Sequence, residues 1–353
     1  MDGVSDEDEA RIVEILRSLG VDDAELPTDG WEAVQMASDV VMARGERHSA
    51  HGLSHEIGVS VDEVIHDLGL LGIEIDDVTH VAFTDDDLEL TRFLHEAMGE
   101  LMSDDEGIDI LRVVATSLEA MAEAAVVGHV QGPERRLVGD GVADGDDGPL
   151  DAVAHVQLNA AIAEAGLVLG HHLGTVFRHH LRQASDRNRL SQNYEDRDLA
   201  RLAVGFVDLV GFTALSQELD TKQLIAVIRS FEHRAHDLAR RHRTRVAKLI
   251  GDEAMLVAVD PTDAAAFMRA LIDTFEDDAV VPRGGLVTGD VINVHGDYFG
   301  PVVNLAARLV DAAVPGEVLV DDAVAAVDAI ATEPAGRRML KGFEDPVRVH
   351  TLR

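Results

Sequence analysis

A chain of 353 residues with 46% apolar residues has enough material for two packed cores and too much to remain unfolded. A net charge of −36 excludes a nucleic-acid surface, and the absence of cysteine excludes disulfides and thiolate metal sites. The acidic start, Met1 to Glu9, lacks the basic and apolar segments of a secretory signal, and no run of about 18 uncharged apolar residues marks a membrane span, so a cytoplasmic chain is expected.

Residues 1–190 read as an all-α domain. Ser5-Asp6-Glu7-Asp8 resembles a capping box, with Ile12, Ile15, Leu16 and Leu19 following at helical spacing and Gly20 as a stop. Further helical periods lie near 31–43, 60–70, 84–99 and 106–128. Thr84 is placed to cap the third, and Asp85, Asp86 and Asp87 suit the positive end of its dipole. The Gly/Asp-rich stretch 139–149 reads as a flexible turn, because its acids are not in the order of a calcium-binding loop.

A long helical pattern follows over about 150–184 and leads through Ser185-Asp186-Arg187-Asn188-Arg189 to about 196. Gly166, Gly170 and Gly174 stand four apart on it. They permit close helix packing, or a helix that bends or loses its end. Its junction with the next domain makes it a candidate transmitter.

Charge and histidine are concentrated in this first domain. Residues 1–190 carry 40 Asp+Glu against 12 Lys+Arg, a balance of −28, and 12 of the 17 histidines. A solvated acidic surface explains this, and so does a module built to titrate near neutral pH. His171, His172, His179 and His180 lie on the transmitter, and His172 and His179, seven apart, share a face. His48, His51 and His55 could instead suggest a metal, although no thiolate or carboxylate pattern supports one.

After about residue 200 the pattern alternates. Strands are expected at 202–210, 245–250, 253–259, 283–289, 317–320 and 346–352, with helices at 221–242, 262–276, 301–313 and 321–331. The order β-α-β-β-α-β with additions predicts a ferredoxin-like α+β core.

Three segments here carry chemistry. Gly205-Phe206-Val207-Asp208-Leu209-Val210-Gly211-Phe212-Thr213 closes a buried strand with a carboxylate and a glycine turn whose amides can hold phosphate. Lys248-Leu249-Ile250-Gly251-Asp252-Glu253 sets an acid at a hairpin tip near a lysine. In Gly296-Asp297-Tyr298-Phe299-Gly300-Pro301-Val302-Val303-Asn304-Leu305-Ala306-Ala307-Arg308, Asn304 and Arg308 are four apart on one helix and face the same way. Singly, each polar residue also reads as a helix cap, a solvated strand residue or part of a surface network.

Together, in this order, the segments resemble the catalytic domain of class III nucleotidyl cyclases over about 197–353. The resemblance implies metal binding by Asp208, Asp252 and the carbonyl of Leu209, with Mg²⁺ or Mn²⁺ as the two cations. It implies purine reading by Lys248 and Asp297, ribose orientation by Asn304, and transition-state stabilisation at the α-phosphate by Arg308. Arg283 and Lys341 match positions that touch the polyphosphate, and the turn Gly211, Phe212 and Thr213 is a candidate to bind substrate phosphate through its amides. Lys248 and Asp297 are of the ATP type, so an adenylyl cyclase is implied. A family site shared between subunits implies an obligate homodimer with ATP as substrate.

The helical first domain and linker resemble those of bacterial acid-regulated two-domain adenylyl cyclases, which implies a pH-sensing regulatory domain at 1–190. Other readings stay open: a guanylyl cyclase, a catalytically silent nucleotide-binding module, and an acidic module that binds basic proteins. A lipid in the helical domain is a further possible partner.

Overall fold

The computed structural model describes residues 6–27, 30–43, 45–98, 104–139, 152–191, 199–275 and 280–353. They divide into two compact units, Met1–Arg178 and His179–Arg353.

The first unit is helical: α1 (Asp6–Leu19), α2 (Gly30–Met42), α3 (Ala50–Ile57), α4 (Val61–Gly69), α5 (Asp85–Phe93) with a π-turn at Leu94–Met98, α6 (Asp104–Gly139) and the start of α7 (Ala152–Ser191). Ser5 of the expected first cap and the turn at 140–149 lie outside the described residues. Caps set the helix starts. The Glu63 amide donates to Ser60 Oγ at 3.2 Å while the Ser60 amide donates to Glu63 Oε2 at 2.8 Å, closing a capping box. The Asp87 carboxylate likewise accepts from the Thr84 amide and hydroxyl, at 2.7 and 2.8 Å.

Two details correct the all-α expectation. A two-residue ladder joins β1 (Arg47–His48) to β2 (Phe83–Thr84). Between them α3, started by the Ser49 side chain on the Gly52 amide, occupies the histidine-rich stretch that showed no clear apolar period. There His48 Nε2 lies 2.9 Å from Asp85 Oδ1, while His55 is exposed.

One core of this unit packs Ile12, Leu16, Ala33, Ala37 and Val41 against Val153, Val156, Ala160 and Ala163 of α7. The α7 residues recur at alternating steps of three and four. The same stripe runs on through Leu167, Gly170, Gly174, Phe177 and Leu181, but there it is uncovered, with Phe177 61% exposed. Over Val153–Ser191 this helix is, by length and composition only, long and apolar enough to cross a membrane, though it carries Glu164, Arg178, Arg182, Asp186, Arg187 and Arg189.

The second unit contains β3 (Leu199–Val210), α8 (Phe212–Glu218), α9 (Thr221–Arg241), β4 (Arg245–Ile250), β5 (Glu253–Ala258), α10 (Pro261–Asp273), β6 (Val281–Val294), β7 (Asp297–Phe299), α11 (Pro301–Ala312), β8 (Val318–Val320), α12 (Asp322–Ala325), β9 (Thr332–Arg338) and β10 (Val347–Leu352). Its sheet runs β4-β5-β3-β6-β8-β10-β9, with β7 hydrogen-bonded to β6. Each of the first four of these strands is antiparallel to its neighbours among the four, as in two interleaved β-α-β units. The expected helix at 321–331 shrinks to α12, and an unforeseen edge strand, β9, follows it.

Alternation along β3 divides the unit into two layers. Ala203, Val207 and Leu209 face a core with Phe231, Phe267 and Met268, from α9 and α10. Leu202, Val204 and Phe206 face the other core, with Ala306, Leu309 and Val310 of α11. On β6, adjacent glycines serve both layers. A Cβ on Gly284 would stand 2.5 Å from Met268 Cε, and one on Gly285 would stand 2.5 Å from the Ala306 carbonyl oxygen. The bare backbone at Gly285 is what lets α11 lie directly on the sheet.

Candidate active site

Strand parity gathers the polar residues onto the α11 face. Asp208 shares the parity of Val204 and Phe206, and its register partners are Glu253 on β5 and Arg283 on β6. Asp252 occupies the β4–β5 turn after Gly251, whose φ of 64° favours glycine. The Leu209 amide donates to the Asp252 carbonyl at 3.2 Å, tying this turn to the end of β3.

The carboxylates crowd one another. Burial pushes the Asp252 carboxyl above its ordinary value; its own amide opposes that, and the charge of Asp208 adds to it. Burial, then Asp208, Asp311 and Asp252, push Glu253 up as well, against the pull of Arg283. Arg283 offsets part of this charge. Its Nε and Nη2 donate to Asp208 Oδ2 at 3.0 and 2.8 Å, and its Nη1 donates to the carbonyls of Asp311 and Ala313. The residue matched to a phosphate-binding position thus lies against a carboxylate matched to metal binding.

The donor set fits hard divalent cations. Asp208, Asp252 and the Leu209 carbonyl offer oxygen only, and the crowded acids would be relieved by added positive charge. Among the described residues no group of three or more His, Asp or Glu side chains closes round an ion by itself. Substrate phosphates or water would have to complete the coordination.

A second centre is the Lys248–Asp297 pair. Lys248 Nζ donates to Asp297 Oδ2 at 2.6 Å, with both side chains about one-third exposed. Asp297 follows the β6–β7 turn, where His295 (φ 55°) and Gly296 (φ 79°) both take left-handed backbone. Burial pushes its carboxyl up. The hydrogen bonds from Lys248 and the Tyr298 amide, with the charges of Lys248 and Arg245, outweigh that, and its net shift is downward.

On α11, Asn304 is exposed and Arg308 half-buried, with Arg308 Nη1 donating to Asp311 Oδ2 at 3.0 Å. Gly211, at φ 83°, precedes α8, which Phe212 and Thr213 begin. With only seven residues in α8, binding by these amides would come from the turn rather than from a helix dipole. Lys341 is exposed in a turn after β9. His171, His172, His179 and His180 are all exposed on α7, the first two with ring centroids 5.2 Å apart. In the first unit, burial pushes the Asp67 carboxyl up, while His95, at 3.7 Å, and His66 oppose that.

Sequence reading missed four neighbours: Glu253, Asp311, Arg245 and Tyr298. Glu253 and Tyr298 adjoin the motif acids Asp252 and Asp297, which was a usable signal. Asp311 and Arg245 enter only through the fold.

No protein-family model matches the chain. It is 32% identical to the uncharacterized protein Rv2212 of Mycobacterium tuberculosis over 330 residues, 90% of this chain and 82% of that one. It is 27% identical to an adenylate cyclase of Streptomyces griseus over 308 residues, 86% of this chain and 74% of the relative. It is 33% identical to the pH-sensitive adenylate cyclase MT1302 of Mycobacterium tuberculosis over 162 residues, 43% and 41% of the two chains. These similarities assign the enzyme: the chain belongs to the class III adenylyl cyclases.

Proposed function

We propose that the chain converts ATP to 3′,5′-cyclic AMP and pyrophosphate as a head-to-tail homodimer, each reaction centre combining the carboxylates of one copy with the base-reading and transition-state residues of the other. The observation that carries this reading is the convergence of Asp208 and Asp252, tied through the Leu209 amide, at the end of a sheet face that also holds Lys248 against Asp297.

Asp208, Asp252 and the Leu209 carbonyl would hold two divalent cations, Mg²⁺ or Mn²⁺. When bound, such ions supply charge neutralisation at the phosphates and a lowered pKa for the ribose 3′-hydroxyl. The remaining work is done by side chains. Lys248 donates to adenine N1 and Asp297 accepts from the 6-amino group, a pattern that guanine inverts. Asn304 orients the ribose. Arg308 donates its planar fork to the charge that develops on the α-phosphate. Arg283 and Lys341 hold the polyphosphate beside the turn Gly211 to Thr213. Arg283 must therefore exchange its Asp208 partner for phosphate as the site fills.

The first unit is read as an acid-responsive regulator of this reaction. Protonation of His171, His172, His179 and His180 places positive charge along α7, next in sequence to a module rich in acids.

Two measurements test these readings. Purified protein given ATP and Mn²⁺ forms cyclic AMP, and Asp208→Ala lowers turnover at least about 100-fold. Wild-type turnover in Asp208→Ala would overturn the proposal. Activity rises as pH falls from about 8 to about 6, and replacing His172 and His179 together with Ala flattens the curve. An unchanged curve removes those two residues from the switch.

A further inference from the structure

The register of β4 aims a second cation, besides Lys248, at β7. Arg245 stands opposite Val257 and Lys248 opposite Met255, with a ladder irregularity between Val246 and Lys248. In an unbroken strand two residues three apart point to opposite faces. Here their partners on β5 are two apart and share a face, so the extra residue on β4 turns Arg245 and Lys248 the same way. Val257 and Met255 both belong to the core under α11, and that is the face the two cations take.

Both cations then meet adjacent residues of β7. Lys248 Nζ donates to Asp297 Oδ2 at 2.6 Å. Arg245 Nη1 donates to the Tyr298 hydroxyl at 3.1 Å, with its guanidinium carbon 6.0 Å from the ring centroid. Tyr298 is only 6% exposed and packs among Leu202, Val204, Met255 and Val257. Its amide donates to Asp297 Oδ1 at 2.8 Å. One oxygen of Asp297 is therefore fixed by Lys248 and the other by the backbone of the residue that Arg245 holds. This three-residue strand is also held by its ladder to residues 292–294 of β6 and by the burial of Tyr298 in the core under α11.

We propose that Arg245 and Tyr298 are positioning residues for purine selection: Arg245 grips the Tyr298 hydroxyl and so keeps Asp297 where it meets Lys248, setting the preference for ATP over GTP. This rests on the reading of Lys248 and Asp297 as the base-recognition pair. Neither positioning residue touches the nucleotide. They act by removing the freedom of β7, so that the acceptor for the 6-amino group is in place before substrate arrives. Arg245 also contributes positive charge at Asp297, which favours the ionised acceptor.

The test uses the full chain with ATP and with GTP in the presence of Mn²⁺. Tyr298→Phe removes only the hydroxyl, and Arg245→Met removes the charge while keeping most of the stem. Each raises the KM for ATP and lowers the ATP-over-GTP ratio of kcat/KM about fivefold to tenfold, while kcat at saturating ATP stays within about twofold. Arg245→Lys restores part of the ratio. Asp297→Ala is the reference. If it collapses the ratio while Tyr298→Phe, melting as wild type does, leaves the ratio intact, the clamp is idle and the inference is overturned. If Asp297→Ala also leaves the ratio intact, the base-recognition reading fails and the inference falls with it. Should Arg245→Met melt early, Tyr298→Phe decides the matter alone.

Discussion

Glycine means opposite things in the two parts of this enzyme. On β6, Gly284 and Gly285 are pressed from both layers, and a single added carbon at Gly285 would enter the backbone of α11. On α7, Gly170 and Gly174 stand on the apolar stripe with Gly166 beside it, and a carbon added to any of the three would meet nothing within 4 Å. In the first case the fold needs the glycine. In the second the described chain gains nothing from it and loses helix stability. The catalytic sheet therefore closes its own core on both faces, whereas α7 carries an apolar stripe beyond the core that uses its first turns.

The largest effect expected from this contrast is at Gly285. Gly285→Ala forces the Cβ toward the Ala306 carbonyl oxygen at 2.5 Å and the Val310 nitrogen at 2.6 Å, and backbone on a packed helix cannot turn aside as a side chain can. Overpacking of this kind costs about 2–3 kcal/mol. Denaturant unfolding of the full chain should show the loss, and cyclase activity should fall with it, because α11 carries Asn304 and Arg308. Stability within about 0.5 kcal/mol of wild type would mean that α11 gives way, and that the bare backbone at this point is not what seats it.

How legible this was in the sequence depended on the range of the interaction that decides each feature. The site acids, Lys248, Asn304 and Arg308 stood out because turns and short helical spacings are local, and the structure sets them on one sheet face. The order of elements was legible for the same reason: Gly211, Gly251 and Gly296 punctuate the chain where positive φ is needed. The irregularity in β4 was not legible. Arg245-Val246-Ala247-Lys248 alternates like any strand, and only its register with β5 shows that Arg245 and Lys248 share a face. Strand β9 was hidden because Thr332-Glu333-Pro334-Ala335-Gly336 reads as a turn; it becomes a strand at the sheet edge, where proline is tolerated. The helix α3 was hidden by its histidines. The close approach at Gly285 depends on α11, some twenty residues downstream, and composition gives no hint of it.

The smallest effect lies on the other side of the comparison, and its sign matters more than its size. Gly174→Ala adds a carbon into open space on α7 and removes the conformational freedom that glycine keeps when unfolded. The change should stabilise the helix by about 0.5–1 kcal/mol, seen as a small rise in the melting temperature of the helical signal. Gly170→Ala should do the same. A fall instead of a rise would mean that the stripe is covered in the assembled enzyme, because an alanine can lose stability there only by meeting a surface that the described residues do not supply. The flanking residues would share that outcome. Leu167, Phe177 and Leu181 continue the spacing of Val153, Val156, Ala160 and Ala163, so a surface that excludes a methyl at Gly174 would bury them too. The sign at one glycine therefore separates a helix that presents its stripe to water from one that closes on a partner.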